Sequence, residues 1–495
     1  MCVFLGALVL YLLTSYAGIR SPDAEVAFEV CDGLRQRGDF AVNGMGDSSW
    51  VGFGLAPGVD GRRYSIFGPL QPIACVPFLT IADGLGAVFS PPRSHYIDGG
   101  IPALLRGTPP SDVHAHARRS VVSWIFNSLV GAACVLVFFR ALLRLASFRG
   151  TAVLLAAIYG AATLAWPYSG TFLSEPLATL LVLVSFILVL RVIQAPDDSP
   201  PLGHGATAVG AGAALGLAVT THLTAILFLP FWLLIICGLK LNRATARRLM
   251  PFVAGVLPWL VLLAIYNRLR FGSYLETGRG LGADEFRYGG FQAPWRGLYG
   301  LTISPGKGLL LFCPATLLGL LGWRSFHRRH RVLSIGLACG LVVRLLFVAT
   351  RSDWHGGFCL GPRYLVMAVP FLVLPAVTWL DELCRAGRWR VLTAVIVFAA
   401  LCSMEQLMFV LGEIFSYLHL AKFGAVVRQV DPFAADAIYL RWEYSPLVNL
   451  LAGTRGPYVL KSLPLSNEAL WLCGAAVLAM GWMALSRWLR RSVKL

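Results

Sequence analysis

A chain of 495 residues with a mean hydropathy of +0.68, 57% hydrophobic and only 14% charged residues, is too apolar for a soluble globular protein, in which about a quarter of residues are charged. Its net charge of +17 would suit a nucleic-acid ligand, but the basic residues are spread over many short loops instead of one face, which excludes that class. The composition implies an all-α polytopic membrane protein whose basic residues mark topology and meet anionic lipid headgroups.

Spans are expected near 2–19, 121–140, 151–166, 172–191, 206–220, 222–239, 251–267, 306–323, 332–349, 364–380, 391–411 and 469–486, where apolar runs recur. The first run lacks a positive n-region and a small-residue cleavage site before Arg20, so it reads as an uncleaved span. Short loops on one side carry Arg140, Arg144 and Arg149, then Lys240 to Arg248, Arg324 to Arg331, and Arg385 to Arg390; the tail adds Arg487 to Lys494. The opposite short loops, "WPYSGTFLSE" and "TTH", carry no basic residue, so the termini are expected to be cytoplasmic. Arg outnumbers Lys 37 to 5, a bias of GC-rich bacterial genomes, which points to a bacterial cytoplasmic membrane.

The long loops 20–120, 268–305, 350–363 and 412–468 then lie outside. Residues 1–411 form one membrane unit including outer loop 20–120, followed by an outer segment 412–468 and a last span with basic tail, 469–495. Within the first outer loop a helix starts at 21–34, a turn-rich stretch covers 43–63, and "YSIFGPLQPIACVPFLTIADGLGAVF" reads as a surface or re-entrant helix broken by prolines. Eleven cysteines show no CxxC pair, and most lie in apolar runs as small hydrophobes. Cys31 and Cys359 are both expected outside, and a disulfide between them is the less favoured outcome.

In "SPDAEVAFEVCDGL" Ser21 suits an N-cap, Pro22 the first helical position, and Asp23 and Glu25 the first turn. Capping explains Asp23 in part; its place just after a span, where a lipid-linked substrate would present its headgroup, makes it the candidate for chemistry with Glu25 in support. Glu29 and Asp32 read as a solvated face. Tyr64, in "DGRRYSIFGPLQP", is an interfacial anchor or a substrate contact. Glu175 at a membrane boundary is a cap ahead of Pro176 or a functional acid. Glu276 lies in "YNRLRFGSYLETGRG", and Lys307 follows a glycine-rich stretch at the start of a span, where it snorkels or holds a phosphate. In "TRSDWHGGFCLGPRYL", Arg351, His355 and Arg363 suit an anion, with Trp354 and Tyr364 to stack on a sugar. His114, His116 and His355 are too dispersed to suggest a metal site.

As a set, "SPDAE", "RRYSIFGPLQP", "WPYSGTFLSEPLATLL", "RFGSYLETG", "GLYGLTISPGKGLLLFCP" and "WHGGFCLGPRYL" resemble the phospholipid-carrier-dependent glycosyltransferases of the GT-C superfamily, relatives of protein O-mannosyltransferases and of the lipid A aminoarabinose transferase. The resemblance covers about residues 1–385. It implies a GT-C-like bundle of about 12 transmembrane helices and sugar transfer on the external face. The donor would be a polyprenyl-phosphate sugar, and the acceptor an envelope glycan, lipid or protein. Asp23 would be the general base, Glu25 its neighbour, and Arg363, Lys307 and Arg351 the cations on the leaving phosphate. Tyr64, Glu175, Glu276, His355, Trp354 and Tyr364 would contact substrate. The first outer loop lacks a DxD motif, and the need for a divalent metal stays open. The alternatives are a carrier or flippase for a lipid-linked sugar, which should show short loops, repeats and polar mid-span residues, and a non-catalytic partner in envelope assembly. Mid-span ionisable residues are few, Arg344 and Glu405 being the main cases.

Overall fold

The structure, a computed structural model, describes residues 2–43, 54–86, 113–195, 201–238, 243–281, 290–357, 359–412, 417, 437–449 and 467–492. Lys240, Lys494, part of the turn-rich stretch 43–63 and most of 412–468 fall outside them. Among the described residues, six helical stretches are long and apolar enough to cross a membrane: Ala117–Leu145, Glu175–Gln194, Thr245–Phe271, Arg331–Ala349, Arg363–Arg385 and Trp389–Leu411. Shorter apolar helices fill several other expected runs, and sheet is confined, among the described residues, to one two-stranded hairpin. The chain is an all-helical, polytopic integral membrane protein.

Helix α1, Cys2–Thr14, is shorter than the expected span 2–19. Residues 15–20 run on as irregular chain, with Ala17 at a φ of 54° and its amide bonded to Ser15 Oγ. Three other expected spans are interrupted. Run 222–239 is a 3₁₀ segment Leu223–Phe228 joined to helix Leu229–Cys237 at Pro230. Run 306–323 becomes Leu309–Phe312, Pro314–Thr316 and Leu317–Arg329. Run 364–380 becomes Arg363–Ala368, Val369–Val373 and Ala376–Arg385 around Pro370 and Pro375. A proline ring removes a donor and crowds the carbonyl four residues back, so each break frees backbone carbonyls in apolar surroundings, where they need partners.

Close packing relies on glycine where two helix backbones touch. A Cβ on Gly212 would lie 1.9 Å from the Phe252 carbonyl oxygen, and one on Gly255 would lie 2.1 Å from that of Val209. This seam joins Pro201–Thr221 to Arg243–Phe271 through small residues, as membrane helices commonly pack. Elsewhere along Arg243–Phe271, Leu257, Leu262 and Leu269 are exposed, as on a lipid-facing helix.

The segment after α1 builds helix α2, Pro22–Arg37, and helix α3, Leu70–Gly86, around a hairpin. Strand β1, Leu55–Pro57, pairs antiparallel with β2, Arg63–Ser65, with Ala56 opposite Tyr64. Gly68 seats this unit on the membrane helices: a Cβ there would lie 2.2 and 2.5 Å from the carbonyl oxygens of Thr220 and Thr221. Cys31 lies against Cys75 across α2 and α3, and both are free thiols, as is Cys359. Cys359 Sγ instead meets Lys307 Nζ at 3.2 Å.

Candidate active site

Helix α2 begins as its sequence requires. Ser21 is extended (φ −123°, ψ 148°) and its hydroxyl accepts from the Ala24 amide at 3.2 Å, with Pro22 in the first turn. Asp23 therefore projects from a helix start. Glu175 does the same at the start of Glu175–Gln194, ahead of Pro176. A first turn favours a carboxylate through the helix dipole.

Arg363 joins the two acids. Its Nη1 donates to Asp23 Oδ2 and its Nε to Glu175 Oε1. Glu175 is fully buried, Arg363 nearly so, and Glu175 Oε2 has no hydrogen-bond partner among the described residues. His222 Nε2 stands 3.8 Å from Glu175 Oε1 while its Nδ1 meets Thr224 Oγ1 at 2.9 Å. Two carboxylates share one guanidinium in a mostly desolvated place, an arrangement that persists where it is used or fully compensated.

Behind this cluster the buried Arg344 satisfies two helix breaks. Its Nε and Nη2 donate to the Tyr364 carbonyl at 3.0 and 2.7 Å, and its Nη1 to the Thr224 carbonyl at 3.1 Å. Nη2 also reaches Thr224 Oγ1 at 3.2 Å. Arg344 thus fixes the backbone beside Arg363 and the turn carrying His222. An arginine well inside an apolar run is costly without such partners; that cost was the signal available for it. His222 carried no comparable signal, since "TTH" reads as a short polar turn.

A cleft opens beside the start of α2. Ser21 and Ala24 line it on one side, Cys359 and Leu360 on another, and Tyr16, Trp166, Tyr168, Phe172 and Phe409 give it an aromatic wall. Tyr168 donates to the Leu360 carbonyl at 2.8 Å.

The remaining candidates are placed elsewhere or engaged otherwise. Glu25 is fully buried and takes a different guanidinium: Arg119 Nε and Nη2 donate to its Oε1 at 2.8 and 2.7 Å. The same Arg119 Nη2 reaches Glu29 Oε1 at 2.5 Å, and Arg118 reaches Asp32 at 2.6 Å. Glu29 and Asp32 are therefore not a solvated face but pair across to helix Val113–Leu145. Burial, and then the neighbouring Glu25, push the Glu29 carboxyl up to about 7.

Lys307 is fully buried; its ammonium donates to the carbonyls of Gly357 and Cys359 at 2.8 and 2.6 Å, and lies 5.0 Å from the Tyr439 ring. Arg351 forks onto Asp353 at 2.7 and 3.1 Å, and Tyr364 Oη donates to Asp353 Oδ2 at 3.2 Å. Burial pushes the Asp353 carboxyl up, but the Arg351 fork outweighs it and the net shift is downward. His355 accepts from the Gly357 amide at 2.9 Å and stacks on Tyr439 at 4.5 Å; burial, then the Lys307 charge, hold it down to about 3. Trp354 is completely buried against Gly300, so its ring is packing and cannot stack on a sugar. Tyr64 donates to Asp60 Oδ2 at 2.7 Å and ties the hairpin; that bond, then Arg62, hold Asp60 down to about 2. Glu276 closes its own turn on the Gly278 amide at 2.7 Å. Among the described residues no group of three His, Cys, Asp or Glu is placed to hold a metal ion.

No family model matches the chain, and no curated protein does. Among solved structures the chain is similar to ArnT from Cupriavidus metallidurans in the apo state, with a TM-score of 0.49 at 16% identity, covering 99% of this chain and 76% of that one.

Proposed function

We propose that the protein is a GT-C-type membrane glycosyltransferase that moves a sugar from a polyprenyl-phosphate donor to an envelope acceptor on the extracytoplasmic face. The observation that carries this reading is the Asp23–Arg363–Glu175 cluster, in which one guanidinium joins two helix starts; Ser21 and Ala24, on either side of Asp23 in the chain, line the aromatic-walled cleft. An inverting transfer needs a carboxylate to take the acceptor's proton as the lipid phosphate leaves. Asp23 offers its Oδ1, because Oδ2 is held by Arg363. A preorganised cation near the leaving phosphate stabilises the charge that develops there, and Arg363 is the cation on the site. Glu175 orients that guanidinium from behind. Lys307 and Arg351, each engaged internally, support the loops around Arg363 in this reading.

A carrier would need polar groups lining a path through mid-span. Arg344, the buried mid-span arginine, is instead spent on backbone carbonyls, which favours the enzyme.

The test uses purified protein in lipid nanodiscs with a panel of polyprenyl-phosphate sugars, comparing wild type with Asp23→Asn. Transfer by wild type and its loss in a folded variant support the proposal; equal transfer by both would remove Asp23 from the chemistry. Donor translocation across liposomes without transfer would replace the enzyme by the carrier. The face is tested separately: an introduced cysteine at position 60 should label from outside and one at 328 only after permeabilisation, and the reverse would move the site to the cytoplasm.

A further inference from the structure

The short helix Pro294–Thr302 inverts the usual pattern of a surface helix, which turns its apolar face inward. Its inward stripe is Gly297, Gly300 and Leu301, all buried. A Cβ on Gly297 would lie 2.2 Å from the Ala349 carbonyl oxygen, and one on Gly300 would lie 2.1 Å from the Trp354 ring. The outward stripe, four residues apart each time, is Trp295, Tyr299 and Ile303 just past the helix end, at 75%, 42% and 51% exposure. Phe291, also exposed, packs edge-on against Phe347 at 6.3 Å. Phe347 belongs to the Arg331–Ala349 span, whose Val342, Val343 and Leu346 are exposed as well. The outward stripe is therefore continuous with a face that meets lipid tails.

Trp and Tyr favour the boundary between headgroups and acyl chains, where an amphipathic ring keeps one edge wet, and a helix lying in that plane buries one apolar stripe. We propose that Pro294–Thr302 is an interfacial helix, with Trp295, Tyr299 and Ile303 inserted into the bilayer boundary on the side that carries the candidate site. The chain leaving this helix sets the position of Lys307. Ser304 Oγ donates to the Gly300 carbonyl at 2.8 Å and accepts from the Lys307 amide at 3.1 Å. Contact with lipid thereby fixes the height of the Lys307 turn relative to the membrane surface. The inference stands on packing and exposure alone and does not depend on the glycosyl-transfer reading.

The test places the photoreactive residue p-benzoylphenylalanine at Trp295 or Tyr299 of the full chain in nanodiscs of phosphatidylglycerol and phosphatidylethanolamine. Leu257, on the lipid-facing span, is the positive control, and Gln36, exposed near the polar end of α2, the negative one. Irradiation and mass spectrometry should find lipid adducts at 295 and 299 as at 257, and none at 36. Adducts at 257 but not at 295 or 299 would overturn the proposal, as would crosslinks at 295 to a second copy of the chain. Native tryptophan gives a second readout. In lipids brominated near the headgroup, Trp295→Phe should lower the quenched share of fluorescence relative to wild type, and an unchanged share would also overturn it.

Discussion

Helix α2 takes part in two clusters of the same make-up, one arginine between two acids. At its start, Arg363 lies between Asp23 and Glu175; one turn on, Arg119 lies between Glu25 and Glu29. In the second cluster both acids come from one helix, four residues apart, and the arginine crosses from the neighbouring helix. That is a helix-packing contact between α2 and the helix Val113–Leu145. In the first, the acids come from two different helix starts, and the arginine from the turn after Gly361. The two clusters are about equally buried. What separates them is the origin of the acids, one helix in the second and two distant helix starts in the first.

That contrast is open to direct attack, beginning where the effect is largest. Asp23→Asn should lower transfer by roughly 10²- to 10⁴-fold, the range for a lost general base, with little change in thermal midpoint. Arg119→Ala should do the opposite. It leaves two carboxylates without their shared cation, at a cost of about 3–5 kcal/mol of stability, the range for breaking a buried pair, seen as a lower melting temperature in detergent. If Arg119→Ala folds as stably as wild type, the second cluster is no strut.

A finer effect follows from protonation. The Glu29 carboxyl titrates near 7 in the folded protein, above its ordinary value, so the folded state holds a proton that the unfolded chain has released. That stabilisation is complete below the unfolded pKa and is lost as pH rises through about 7. The melting temperature should therefore fall between pH 5 and pH 8 by more in wild type than in Glu29→Gln; equal slopes would assign the titration to another group. The smallest effect is expected at Tyr64→Phe, which should loosen the hairpin slightly and leave transfer unchanged. A large loss of transfer there would return Tyr64 to the site.

The sequence made legible whatever depends on neighbours along the chain. Ser21, Pro22 and Asp23 announced a helix start, and the apolar runs announced the helices. The prolines at 314, 370 and 375 were visible too, although the broken spans they cause were read as continuous. Asp23 and Arg363, by contrast, lie 340 residues apart, and no local pattern says that they meet. Trp354 read as a stacking platform because its burial against Gly300 is a tertiary fact. Lys307 and Arg351 read as phosphate ligands because carbonyls and an aspartate two residues on are ordinary neighbours of a cation, and only the fold decides whether they claim it. Glu29 and Asp32 read as solvated because the partner helix begins some eighty residues later.

The seat of Gly68 on the carbonyls of Thr220 and Thr221 bears on how this protein could be recombined. Those carbonyls end the helix just before His222, and the backbone of the turn between β2 and α3 covers them at a distance no side chain permits. A chimera that exchanges the segment after α1 must therefore carry a glycine in that register together with the helix end it covers. Grafted without its match, the segment would be propped off the membrane helices at the edge nearest the charged cluster.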